Sequence, residues 1–166
     1  SYGDTKCGSL GSTSILSFTP HKIITMGQGG MVLVDDSDTF QKLIDIKTFN
    51  REKDKSDVHK GFGLNFKITD LQASLGLSQF NNLDNFIKLK KDIYKHYSSL
   101  LKNGLLKNFS ENETPWFIDL ICDNKEQRTE LSKFLNKQNI ETRFSYPALS
   151  SQNYLNNIDK ANLDYS

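Results

Sequence analysis

The chain has 166 residues, enough for one ordinary domain or for a piece of a larger one. Its 21 basic and 20 acidic residues leave a net charge of +1, which gives no basic footprint for nucleic acid and no acidic tail. Hydrophobic residues at 36% and charged residues at 25% suit a packed soluble core, and no apolar run reaches membrane-spanning length.

Residues 1–13 ("SYGDTKCGSLGST") are rich in Gly, Ser and Thr and read as loop. The short apolar runs "SILSF" (14–18) and "MVLVD" (31–35) flank a Gly-rich turn, and each suits a buried strand. In "SDTFQKLIDIKTF" (37–49), Ser37 or Asp38 can cap a helix that places Phe40, Leu43, Ile44 and Ile46 at near-helical spacing. The following "KTFNREKDKSDVHK" (47–60) is dense in both charge signs and reads as a solvated loop.

Thr69 followed by Gln72 makes a capping box, and Asp70 complements the helix dipole. Downstream, Leu71, Leu75, Leu83, Phe86, Ile87, Ile93, Tyr97 and Leu100 keep an apolar stripe. A helix of about 30 residues would be about 45 Å long, so it either breaks near Asn81 and Asn82 or bridges two domains. "TPWFIDLIC" (114–122) then alternates like a strand, "NKEQRTELSKFLNKQN" (124–139) is an amphipathic helix, and "IETRFSY" (140–146) is a short strand. Strand, helix and strand predict a small α/β unit. The first residue is Ser, and "NIDKANLDYS" (157–166) stops inside what reads as another helix, so a chain cut at both ends is expected.

Cys7 and Cys122 make no metal or redox spacing and read as thiols in a reducing cytosol. The sequons at Asn108 and Asn112 read as chance matches, because the first residues lack a signal peptide's basic and apolar regions. Together these features predict a cytoplasmic protein with no membrane, nucleic-acid or metal partner.

"GQGG" (27–30) is not a Walker A loop, since no Gly-Lys-Ser/Thr follows, nor a dinucleotide fingerprint, since a strand comes next. It reads as a tight β-connection with glycines at positive φ. Lys22 sits among Phe18, Thr19, Pro20, Ile23 and Ile24. In an apolar setting an ammonium loses solvation, which favours the neutral, nucleophilic amine that a bond to an aldehyde needs. Ser17 offers a small hydroxyl suited to a phosphate oxygen. Spacing alone more often describes a strand-end lysine reaching water.

The segment "SFTPHKIITMGQGGMVLVDD" resembles the lysine segment of the DegT/StrS-type sugar aminotransferases, roughly Ser-Phe-x-x-x-Lys-x-Ile/Leu-Thr-x-Gly-Glu-Gly-Gly-Met-Val. "YGDTKCGSLGSTS" resembles that family's lead-in loop, and "GLNFKITDLQASLGLSQFNNLDNFIKLKKDIYKHY" its Gly-Tyr-Asn-Tyr-Arg-Met-Thr-Asp-x-Gln-Ala-Ala signature with the long helix after it. "TPWFIDLI" and "IETRFSYPALSSQNYL" stand where the family has a small-domain strand and an Arg-x-x-Tyr-Pro segment. The resemblance covers nearly the whole chain, in order, and leans toward perosamine-synthase-like members.

The resemblance implies an α/β fragment of a fold-type I enzyme dependent on pyridoxal 5′-phosphate. Residues 1–68 would end the large cofactor domain, 69–103 would form a long connecting helix, and 104–166 would be an incomplete small domain. The implied reaction moves an amino group from an amino acid, by family analogy L-glutamate, to a nucleotide-linked 4-keto-6-deoxy sugar. Lys22 matches the lysine that bonds the cofactor aldehyde and later moves a proton. Ser17 matches a phosphate-binding serine. Asn65 matches an asparagine that reaches the phosphate of the partner's cofactor in a homodimer. Lys67, Arg143 and Tyr146 are the substrate-side candidates.

Three positions depart from the family pattern. Gln28 replaces the usual Glu, Lys67 replaces an Arg and so turns a bidentate contact into a point charge, and Leu149 replaces a His after Tyr-Pro. The family's ring-binding residues lie in an N-terminal half, so these 166 residues alone are expected to be inactive. Two other readings stay open. A sugar dehydratase of the same scaffold carries His in the lysine slot, and His21 stands beside Lys22. A non-catalytic α/β module would use the long helix for dimerisation.

Overall fold

The computed structural model describes residues 3–54, 57–101 and 104–155. They fall into two compact units, Ser1–Ile121 and Cys122–Ser166.

The first unit opens with a hairpin. Strand β1 (Thr13–Ser17) pairs antiparallel with β2 (Gly30–Val34), in a register that sets Thr13 opposite Val34 and Ser17 opposite Gly30. Both strands coincide with the apolar runs to within one residue. The chain between them leaves one end of the hairpin as a loop.

Helix α1 (Ser37–Lys47) follows at once. Its N-cap is Asp36, one or two residues before the expected Ser37 or Asp38, and the carboxylate accepts from the Asp38 and Thr39 amides at 3.4 and 2.6 Å. The charged segment after it folds back on the helix end: the Phe49 amide donates to Leu64 O at 3.1 Å and the Leu64 amide to Ile46 O at 2.7 Å. Isolated bridges pair Thr48 with Asn65 and Arg51 with His59. The fold-back holds Phe49 and Asn50 at φ of 65° and 52°, a left-handed pair without glycine.

The expected long helix over 69–103 is two helices, α2 (Asp70–Phe80) and α3 (Leu83–Leu100). The capping box is formed as read: Thr69 Oγ1 accepts from the Gln72 amide, and Gln72 Oε1 accepts from the Thr69 amide. The break falls at Asn81 and Asn82. Asn82 has φ −109° and ψ 10°, outside the helical basin, and its side-chain amide donates to Ser78 O at 3.0 Å. A short polar side chain that serves the backbone locally competes with the helix ladder.

The alternating segment 114–122 is not a strand. Its one ladder contact is the bridge of Leu120 to Leu106, with the Lys107 amide on Asp119 O at 2.9 Å and the Ile121 amide on Leu105 O at 2.6 Å. Tyr94 Oη donates to Lys107 O and accepts from the Phe109 amide, which pins residues 107–109 to α3.

In the second unit, α4 (Lys125–Lys137) is capped by Asn124, whose side chain accepts from the Gln127 amide at 2.8 Å. It ends in a Schellman pattern, with Ile140 N–H on Leu135 O and Asn139 N–H on Asn136 O, and Asn139 at φ 60° in the place usually given to glycine. The expected strand 140–146 is irregular chain, since among the described residues no neighbouring strand pairs with it. Short 3-10 turns follow at Leu149–Ser151 and Asn153–Leu155. The helix expected over 157–166 lies outside the described residues. Among the described residues, no helix is long and apolar enough to cross a membrane.

Candidate functional site

The loop that carries Lys22 is closed by its own backbone. The Phe18 amide donates to Gly29 O at 2.9 Å, and the Met26 amide returns to Phe18 O at 3.1 Å. Thr25 Oγ1 donates to the same Phe18 carbonyl and accepts from the Gly27 amide at 3.0 Å. Inside this frame a tight turn brings the Lys22 amide to Thr19 O at 3.1 Å. Met26 packs against the glycine turn and is 8% exposed, one of three apolar residues, with Leu106 and Pro115, that are buried among the described residues. Gly29 has φ +151°, and a Cβ there would collide with Met26 Sδ. Gly76 on α2 lets the Met26 methyl approach closely, since an added Cβ would stand 3.1 Å from it. Gln72 Nε2 donates to Gln28 O at 3.2 Å, which ties the N-terminal turn of α2 to the glycine turn.

Lys22 is therefore a loop residue one turn beyond the strand, and it is half-buried rather than enclosed by apolar groups. The reading of a lysine heading into a core is corrected on both counts. Its neighbours Phe18, Ile23 and Ile24 are themselves only half-buried. What meets the amine is aromatic: Nζ stands 3.8 Å from the centre of the Trp116 ring. The indole N–H of Trp116 donates to the carbonyl of His21, and its ring stacks on Phe117 at 4.5 Å with 29° between planes. Its own carbonyl accepts from Lys90 Nζ on α3 at 3.3 Å. Trp116 was missed in the sequence. No spacing rule reaches across the 95 residues that separate it from His21, and the one available signal was a lone Trp whose N–H needs an acceptor when it packs.

Ser17 is exposed at the last position of β1, and its hydroxyl shares a 3.3 Å hydrogen bond with that of Thr19. Ser17 and Lys22 thus lie on one loop, at its entrance and in its first turn. Asn65 and Lys67 belong instead to the fold-back behind α1. Asn65 is exposed in its bridge to Thr48, and Lys67 Nζ lies 5.8 Å from the Phe49 ring centre. A surface cleft lined by Asp45, Phe49, Arg51 and Lys67, among others, lies in that fold-back, away from the lysine loop. Arg143 and Tyr146 are in the second unit, both exposed, with the guanidinium 4.4 Å from the ring centre. Of the departures from the family pattern, Gln28 is exposed with its carbonyl held by Gln72, and Leu149 is 73% exposed. The His21 side chain is exposed while its backbone carbonyl is held.

The donor set of the loop fits a phosphate-bearing aldehyde: one primary amine for the carbonyl carbon, and an exposed pair of hydroxyls, Ser17 and Thr19, for phosphate oxygens. A loop built on glycine and closed by main-chain bonds leaves those groups accessible while holding their backbone still.

The sequence profile described as the DegT/DnrJ/EryC1/StrS aminotransferase family matches residues 1–165. The chain is 31% identical over 140 residues to a GDP-perosamine synthase of Escherichia coli O157:H7, covering 82% of this chain and 38% of that protein. It is 32% identical over 150 residues to the GDP-perosamine synthase of Vibrio cholerae, covering 86% and 41%. The chain thus spans about two fifths of the length of these relatives. In fold it is similar to Helicobacter pylori PseC, described as an aminotransferase involved in the biosynthesis of pseudoaminic acid, with a TM-score of 0.85, 20% identity, and coverage of 99% of this chain and 47% of that one. A putative sugar aminotransferase of Streptococcus pneumoniae, solved in its PLP form, matches with a TM-score of 0.80 at 19% identity, over 96% of this chain and 44% of that one.

Proposed function

This chain belongs to the DegT/DnrJ/EryC1/StrS aminotransferase family, and on that premise we propose that the protein it comes from is a pyridoxal phosphate-dependent sugar aminotransferase. The acceptor in this reading is a nucleotide-linked 4-keto-6-deoxy sugar and the donor an amino acid such as L-glutamate. The observation that carries the reading is Lys22, placed by a closed glycine loop with hydroxyls at the loop entrance, inside a family-wide match.

Lys22 Nζ would hold the cofactor covalently, and Ser17, with Thr19 beside it, would hold the phosphate. When bound, the cofactor supplies an aldehyde and an electron-accepting ring. Lys22 Nζ, when free, is the base that moves a proton at the substrate carbon. Asn65, exposed on the fold-back, would serve the partner's cofactor phosphate in a homodimer, so that each site is completed by two chains. Lys67, Arg143 and Tyr146 are candidates for the substrate's anionic groups. Residues 1–68 and 104–166 would belong to the large and small domains of a cytoplasmic enzyme, with 69–103 between them. Residues 1–166 alone would be inactive.

The test is borohydride reduction of the full-length protein with pyridoxal phosphate, followed by peptide mass mapping. A pyridoxyl adduct on the peptide holding Lys22, lost in Lys22→Ala together with turnover, is the expected result. An intact, folded protein without that adduct overturns the reading. So does undiminished cofactor cycling in Lys22→Ala, which would favour the dehydratase.

A further inference from the structure

We propose that Trp116 is a positioning residue for Lys22, its indole face forming the resting seat of the ε-ammonium. The inference deepens the reading of Lys22 as the covalent tether and rests on it. An ammonium 3.8 Å from the centre of an indole ring sits where the ring's quadrupole attracts it most. The seat is built rather than incidental, because two contacts fix the ring and two fix the backbone that carries it. The ring N–H is held by the His21 carbonyl, next to Lys22 in sequence, and the ring stacks on Phe117 at 4.5 Å. The Trp116 carbonyl is held by Lys90, and the preceding Pro115 is buried and fixes the local backbone.

The two contacts to the loop do different work. The N–H···O bond fastens residues 21–22 to the Trp116 segment, so that ring and amine cannot drift apart. The face then holds the ε-ammonium by attraction to its ring. The seat therefore keeps Lys22 Nζ, whenever it is not engaged elsewhere, at one fixed point of the loop that also carries Ser17 and Thr19, and less available to an electrophile from solution.

The experiment uses cofactor-free full-length protein and trace labelling with acetic anhydride, with Lys22 read against the exposed Lys133 by mass spectrometry. In Trp116→Leu, which removes the face, Lys22 should be acetylated about two to five times faster than in wild type. Trp116→Phe keeps a face and loses the N–H, and it should stay within about twofold of wild type. Should Trp116→Leu fail to fold, protein made with tetrafluorotryptophan keeps the shape with an electron-poor face and should show the same rise. Unchanged Lys22 labelling in the Leu or fluorinated protein overturns the proposal, as does a Phe variant that behaves like Leu. In parallel, wild type is reduced with borohydride and pyridoxal phosphate. Absence of a Lys22 adduct there brings down the tether reading and the positioning role with it. An adduct combined with unchanged Leu labelling brings down the seat alone.

Discussion

Met26 packs between the glycine turn and α2, and two glycines make room for it. Gly29 needs its glycine twice over, for a φ of +151° and for the space Met26 Sδ occupies. Gly29→Ala should therefore lower the stability of the full-length protein by about 1–3 kcal/mol. Met26→Ala, which empties that space, should cost about 2–5 kcal/mol. Urea unfolding of the two variants checks both, and a loss well under 1 kcal/mol in either would contradict the packing described. At this scale the sequence was partly legible. Lys22, Ser17 and the glycines could be picked out because local spacing encodes a loop. The surroundings of Lys22 were misjudged because apolar neighbours in sequence are not neighbours in space: the group that meets the amine is Trp116, and only the fold brings it there.

Helix ends were the most readable elements, since a cap is a contract among residues within four positions of each other. The Thr69–Gln72 box formed as written, and Thr69→Ala should destabilise α2 by about 1 kcal/mol. Rescue by Thr69→Ser, measured by thermal or urea unfolding, separates the cap from mere size. Asp36 adds a pH signature. Hydrogen bonds from the Thr39 side chain and amide, and then from the Asp38 amide, hold its carboxyl below the ordinary value of 3.8. A depressed folded-state value means that the cap's contribution is complete above about pH 4 and fades as pH falls through the folded value. The melting-temperature gap between wild type and Asp36→Ala should accordingly be constant near neutrality and close below about pH 4. A gap that persists at pH 2 would show that the carboxylate is not the stabilising form. Strands were less readable. Residues 114–122 and 140–146 alternate convincingly, yet alternation states only which face a strand would bury. A strand exists when another chain segment pairs its N–H and C=O groups, and Leu106 supplies one bridge to the first stretch.

Phe62, Leu71, Ile15 and Phe66 are each at least 66% exposed, and only Met26, Leu106 and Pro115 are buried among the described residues. Family membership and the α/β order of elements were nonetheless legible, because motif order survives where a core does not. Expressed by themselves, residues 1–166 should melt without a cooperative transition and bind a hydrophobic dye such as ANS, and the full-length protein should do neither. A sharp calorimetric transition from the isolated piece would refute this. Within the chain one tryptophan stands among six tyrosines, and its ring touches both a cation and a phenyl ring. That makes the piece optically simple. Red-edge excitation selects one indole, and a change in its emission colour or lifetime marks the moment the lysine moves away, a built-in lamp for following the site in real time without a label.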